Sequence, residues 1–225
     1  MSDLKVAIIT GGSKGIGHSI LDLLGNNYMI VHDFSRSSGV DITNEKIVNE
    51  KVKEIINDYG KIDILVNNAG VATTTDILDM SLDEWNNTMN VNLNGMFICT
   101  KAVLKYMKER KYGKIVNISS IAGVSKSKVA SVAYTTSKHG VVGFTKQLAY
   151  YYGKYNINVN CVAPSQTMTD MLKDNLTEEE IDVLKSQVPN NKILTPEEVA
   201  KTVLFLCKDE SSYINGEVIN INGGQ

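Results

Sequence analysis

Hydrophobic and polar positions fall into two kinds of segment that alternate along the chain. Short, nearly continuous apolar runs occupy Lys5–Thr10, Tyr28–Phe34, Ile62–Asn67, Lys114–Ser119, Ile157–Val162 and Glu217–Ile221, and each predicts a buried strand. Between them lie longer stretches of helical period: Gly15–Gly25, Asn44–Tyr59, Ser81–Arg110, Ala133–Tyr155 and Pro196–Cys207. The last is announced by Thr195-Pro196-Glu197-Glu198, an N-cap followed by Pro at the first helical position and acidic residues in the first turn. This alternation predicts an α/β protein whose parallel sheet is covered by helices on both faces. One interval is short. Only Ser35–Val40 separates the second strand from the turn at Asp41-Ile42-Thr43, so a crossover helix is expected to be absent there.

Composition narrows the possibilities. A length of 225 residues, with no repeat, low-complexity tract or Pro/Gly-rich linker, predicts a single domain over 1–225. Apolar residues at 43% supply a core without disulfide or metal staples. The net charge of −2 lacks the positive field that nucleic acid requires. No apolar run approaches about 18 residues and no signal peptide is visible, so the reading is a soluble, cytoplasmic protein without membrane contact. Cys99, Cys161 and Cys207 stand far apart and read as core thiols in a reducing compartment. His18, His32 and His139 have no metal-ligand spacing, and no metal is expected.

Chemistry enters at the end of the first strand. Thr10-Gly11-Gly12-Ser13-Lys14-Gly15-Ile16-Gly17 runs straight into a helical pattern with Ile16, Ile20, Leu23 and Leu24 on one face. Glycines permit a tight turn and let a phosphate approach backbone N–H groups, while the helix N-terminus adds about half a positive charge. A pyrophosphate suits that place. A turn that merely connects strand to helix is the plainer reading, and the spacing GxxxGxG differs from GxGxxG.

Two Tyr-x-x-x-Lys pairs occur, as often as chance nearly allows. Tyr150/Lys154 sits in a run of tyrosines late in its helix and reads as packing and surface charge. Tyr134/Lys138 opens its helix after a small-residue stretch and follows a strand ending in Ser119-Ser120. Residues i and i+4 share a helix face, so ammonium and phenol can enter one cleft. A cation within about 4–6 Å lowers a phenol pKa by about 1–3 units, bringing Tyr134 toward proton exchange near neutral pH. Ser120 beside it can hold a carbonyl oxygen; its plainer role is a strand-end hydroxyl satisfying backbone.

Together these residues resemble the short-chain dehydrogenase/reductase family, particularly its 3-oxoacyl-[acyl-carrier-protein] reductase-like members, over almost the whole chain. TGGSKGIG (Thr10–Gly17), NNAG (Asn67–Gly70), VNLNGMF (Val91–Phe97), NISS, YTTSK and APSQTMTDM follow in the family's order. The resemblance implies a Rossmann fold and a homo-oligomer, tetramer or dimer, built on the two long helices. It implies that Tyr134 is the general acid/base and that Lys138 binds the nicotinamide ribose and depresses the tyrosine pKa. Ser120 would orient the substrate carbonyl and Asn92 would anchor a proton-relay water. Gly11, Ser13, Lys14, Gly15, Ile16 and Gly17 would line the diphosphate. Ser35 and Arg36 would face the adenosine ribose, Asp41 and Ile42 the adenine, and Asn68, Ala69 and Gly70 a cofactor edge. Pro164, Thr167 and Thr169 would complete the nicotinamide side.

The implied activity is hydride transfer between a nicotinamide cofactor and a carbonyl or secondary alcohol. Counting from Thr10 places the ribose-reading position at Ser35, with Arg36 next, and the bidentate guanidinium plus Lys14 favour NADP. NAD stays open because Asp33 is two positions away. A 3-oxoacyl thioester is the first substrate expectation and a sugar or sugar nucleotide the alternative. Lys126 and Lys128 are either steering charges or merely solvated. A non-catalytic dinucleotide-binding or scaffold protein is the other class. Two departures from the family stand out: the short link after the second strand, and Ser165-Gln166 where relatives carry glycine, which should add a hydroxyl and an amide to the nicotinamide side. Between Thr167 and Leu194, a polar, acidic stretch with apolar Met168, Met171, Leu172, Leu176, Ile181 and Leu184 suits a lid.

Overall fold

A computed structural model describes residues 4–27, 29–127, 129–169 and 177–225. Tyr28, Lys128 and the apolar lid positions Met171, Leu172 and Leu176 lie outside the described residues. Six strands form one sheet: β1 (Val6–Thr10), β2 (Ile30–Phe34), β3 (Ile64–Asn67), β4 (Gly113–Ile118), β5 (Ile157–Pro164) and β6 (Val218–Ile221). The order is β2-β1-β3-β4-β5-β6 and every pair is parallel. Among the described residues the helices are α1 (Gly15–Asn26), α2 (Glu45–Tyr59), α3 (Leu82–Met89), α4 (Met96–Arg110), α5 (Val132–Tyr152), α6 (Glu178–Ser186) and α7 (Pro196–Cys207).

Alternating strand residues feed two cores, as a sheet buried on both faces requires. Val6, Ile8, Leu65, Ile115 and Val159 pack with α2, α4 and α5. Ala7, Ile9, Val66, Val116 and Val162 pack with α1 and α7. Among the described residues no helix is long and apolar enough to cross a membrane.

As expected, no crossover helix stands between β2 and the turn at Asp41-Ile42-Thr43. β2 and β3 are not neighbours, since β1 lies between them, and α2 is the helix that crosses back. Asn44 caps α2 by accepting the Lys46 and Ile47 N–H groups, and Gly60 ends it at φ +71°. The link before it is short, a single 3₁₀ turn at Arg36–Ser38. α1 leads from β1 to β2 on one side, and α2 leads from β2 past β1 to β3 on the other, a reversal that opens a crevice at the carboxyl ends of β1 and β3.

The expected helix Ser81–Arg110 runs unbroken from Leu82 to Arg110, and a π turn over Asn90–Gly95 joins α3 to α4 within it. Within that turn Asn92 binds the backbone of Val71, and Gly95 takes the Ile42 side chain against its bare Cα. Such tertiary contacts have no periodic signature. The helix Ala133–Tyr155 runs Val132–Tyr152 and closes in a 3₁₀ turn at Gly153–Tyr155.

Candidate active site

A groove of about 580 Å³ opens at the carboxyl ends of β1, β2 and β3. Its floor is the glycine loop. Gly11 and Gly15 hold φ of +68° and +55°, conformations that side chains other than glycine rarely adopt. A Cβ on Gly17 would collide with the Gly11 carbonyl, so this glycine lets α1 dock on the strand end. No side chain caps α1 at Lys14, which leaves first-turn N–H groups for an anion. The Thr10 hydroxyl accepts the N–H groups of Asn68 and Ala69 (3.0 and 2.9 Å), and Asn68 Nδ2 donates to the carbonyls of Thr10 and Gly11 (3.0 and 3.1 Å). NNAG thus stitches the end of β3 to the loop.

At the other wall stand Ser35, Arg36, Asp41 and Ile42. The Arg36 guanidinium is largely exposed and lies 3.6 Å from Asp41 Oδ2. Asp41 Oδ1 accepts both the N–H and the hydroxyl of Thr43 (2.9 and 2.7 Å), and these bonds, with Arg36, hold its carboxyl below the usual range. Asp33 does not line the groove. Its carboxylate turns back to the Gly12 N–H at 2.8 Å and to the Ser35 hydroxyl.

The groove continues through Gly70 and Val71 toward the reacting side chains. A Cβ on Gly70 would stand 3.2 Å from Asn92 Oδ1 and 3.5 Å from Lys138 Nζ, so this glycine admits both. Asn92 is buried. Its Oδ1 accepts the Val71 N–H (2.8 Å), and its Nδ2 donates to the Val71 carbonyl and the Ser137 hydroxyl, both at 3.0 Å. Lys138 is buried too, donating to the Ile118 carbonyl at the end of β4 (2.9 Å). Its ammonium lies 5.6 Å from the centroid of the Tyr134 ring. Ser131 caps α5 by accepting the N–H of Tyr134 itself (3.1 Å), which fixes that residue in the first turn. The Tyr134 hydroxyl has no hydrogen bond among the described residues. Ser120 Oγ accepts the Ala122 N–H (3.2 Å), the plainer role, yet its proton remains free to donate.

The structure therefore brings Asn92, Ser120, Tyr134 and Lys138 to the carboxyl end of the sheet, beyond a groove lined by Gly11, Ser13, Lys14, Gly15, Ile16, Gly17, Ser35, Arg36, Asp41, Ile42, Asn68, Ala69, Gly70 and Thr169. Pro164 and Thr167 are not in that lining. Pro164 pairs with Ile221, and Thr167 bridges to Leu194, pinching the base of the excursion that carries α6. Ser165 lines a separate hollow of about 170 Å³, and Gln166 lines neither that hollow nor the groove. Phe34, Thr43, Val71 and Val91 line the groove without having been singled out; the strand end at the carboxyl edge was the signal available for Phe34.

Elsewhere, Tyr150 of the second pair is 82% exposed and lines neither the groove nor the hollow at Ser165. All three cysteines are buried, and burial pushes the thiols of Cys99 and Cys207 up to about 12 and that of Cys161 to about 11. Lys126 is exposed.

Comparison with known proteins gives concordant matches. A family profile described as enoyl-(acyl carrier protein) reductase matches residues 31–225. The chain is 39% identical to a 3-oxoacyl-[acyl-carrier-protein] reductase of Aquifex aeolicus, over 98% of this chain and 96% of the relative. It superposes on the solved structure of ElxO with NADP bound with a TM-score of 0.93 at 33% identity, covering 98% of each chain. The ligand-free aldohexose dehydrogenase of Thermoplasma acidophilum gives 0.90 at 33% identity, over 98% of this chain and 93% of that one.

Proposed function

The chain belongs to the short-chain dehydrogenase/reductase family, and we propose from that premise that it is an NADPH-dependent reductase of a ketone on a 3-oxoacyl thioester, with Tyr134, Lys138, Ser120 and Asn92 as its reacting end. One observation carries the reading: a buried ammonium, Lys138, beside the ring of Tyr134 one helical turn away, where a glycine-floored groove ends. A non-catalytic binder has no use for that pair.

The groove fits a dinucleotide, because uncapped N–H groups and two positive-φ glycines form a cradle that a phosphate can fill. When bound, NADPH supplies hydride to the carbonyl carbon. Tyr134 then gives its phenolic proton to the carbonyl oxygen, and the Lys138 charge stabilises the phenolate left behind. The Ser120 hydroxyl donates to the same oxygen and fixes its direction, which favours attack at a carbonyl over a carbon–carbon double bond. The Asn92 side chain is committed to Val71 and Ser137, so a relay water there would rest on its main-chain carbonyl. Arg36, with Lys14 across the groove, supplies the cations for a 2′-phosphate.

Exposed Phe97 on α4 and Tyr150 and Tyr151 on α5 support a homo-oligomer, tetramer or dimer, and three free thiols support a cytoplasmic setting. The excursion pinched at Thr167 and Leu194 supports a lid over substrate.

Tyr134→Phe tests the mechanism. Turnover should fall about 10²–10⁴-fold, or roughly 3–5 kcal/mol, while NADPH binding is retained. Unchanged kcat in that variant would remove Tyr134 from the reaction. A panel of acyl thioesters, sugars and sugar nucleotides, followed by NADPH absorbance, ranks the substrates by kcat/KM, and preference for a sugar would displace the thioester.

A further inference from the structure

Asp33 stands close to where an α/β dinucleotide-binding protein keeps the acid that reads ribose hydroxyls. Its side chain is otherwise engaged. Oδ1 accepts the Gly12 N–H at 2.8 Å and Oδ2 accepts the Ser35 hydroxyl. Ser35 Oγ lies 2.8 Å from Ser37 Oγ, and the Asp33 carbonyl accepts the Ser38 hydroxyl at 2.7 Å. A Cβ on Gly12 would stand 2.7 Å from Asp33 Oδ1, so the loop approaches the carboxylate as closely as a bare backbone allows. The adjoining Gly11 N–H donates to the Phe34 carbonyl at 2.9 Å, clamping the same two segments.

We propose that Asp33 is a positioning residue: one carboxylate ties the glycine loop to the Ser35–Ser38 turn, and thereby sets the spacing between the diphosphate cradle and the adenosine wall. Both oxygens face protein donors, and the residue is absent from the groove lining. Asp33 therefore acts on NADPH and NADH alike, through parts the two coenzymes share. A ribose reader would instead separate them. The inference rests on the coenzyme reading of the groove, which binding of either dinucleotide to the unaltered protein checks independently.

The test is titration of wild type, Asp33→Ala and Asp33→Asn with NADPH and with NADH, alongside kcat at saturating coenzyme. Loss of two charge-assisted hydrogen bonds in Asp33→Ala should weaken both coenzymes by the same factor, about tenfold or more, with kcat held within about threefold. Asp33→Asn keeps an acceptor for Gly12, and Ser35 can turn its proton to Ser37, so affinity should return to within about threefold of wild type. A general loss of folded structure would lower kcat as well and would not be rescued by the amide. If Asp33→Ala does not fold, Asp33→Ser, a shorter acceptor, carries the same two titrations. A tenfold or larger change in the NADPH-to-NADH affinity ratio in either variant would overturn the proposal in favour of a ribose reader. Wild-type affinity for both coenzymes in Asp33→Ala would overturn it as well.

Discussion

His32, on β2, shows how far one side chain can govern stability. Its ring meets Tyr59 edge-on at 5.4 Å, and its Nε2 is buried without a hydrogen-bond partner among the described residues. Burial lowers its pKa below 6.5, and Asp58 pulls weakly the other way. The native state then binds fewer protons than the unfolded chain. The contribution of His32 to stability is complete above about pH 6.5 and is lost as pH falls through the lower native value. His32→Phe keeps the ring contact and removes the titration, so its melting temperature should vary less between about pH 7 and 5 than that of wild type. Parallel curves would contradict this. At this scale the sequence was legible for residue type and illegible for direction. Counting from Thr10 led to Ser35 and Arg36, which line the groove, but the turn of the Asp33 carboxylate toward Gly12 and Ser35 follows from backbone geometry that no count contains.

The elements were legible wherever a local period or cap specified them. Thr195 does cap α7 in a reciprocal box with Glu198, with Pro196 in its first turn, as the tetrapeptide announced. Local departures from that period were not legible. The π turn at Asn90–Gly95 depends on Asn92 reaching Val71 and on Gly95 meeting Ile42, contacts between segments far apart in the chain. The role of α2 as a crossover depends on β1 lying between β2 and β3, which strand count alone does not state. At the junction of β1 and α1 a single methyl decides the outcome. Gly17→Ala should force the helix away from the Gly11 carbonyl, costing about 1–3 kcal/mol of stability and at least tenfold in coenzyme affinity. Urea unfolding and coenzyme titration check both, and a variant unchanged in each would contradict the close approach.

Across the whole molecule, stability and chemistry occupy opposite ends of the sheet. At the amino ends Asp63, almost fully buried, accepts the Val6 N–H at 2.9 Å and pairs with Arg110 at 2.9 Å and Lys61 at 3.4 Å. Its backbone completes the ladder, donating to the Val6 carbonyl and accepting the Lys114 N–H (2.8 and 2.9 Å). One residue thus binds β1, β4 and the end of α4. Asp63→Ala leaves the buried Val6 N–H without an acceptor, while the exposed Arg110 can turn to water, and should cost about 1–3 kcal/mol in denaturant unfolding. kcat measured well below the melting transition should stay unchanged, because the groove lies at the carboxyl ends. A fall in kcat without loss of stability would refute that separation.

The outer position of β2 has a practical sequel. No strand lies beyond it in the described sheet, and the segment 35–44 passes from its end directly to α2, anchored by the buried Val40 and Ile42. Of the residues proposed for the adenosine end, Ser35, Arg36, Asp41 and Ile42 are carried on this one peripheral cassette, with Lys14 facing them from the glycine loop. On the proposed assignment, transplanting the cassette from a relative, with those two anchors retained and position 14 matched to it, should exchange one coenzyme tail for another and leave the proposed hydride-handling half as it was.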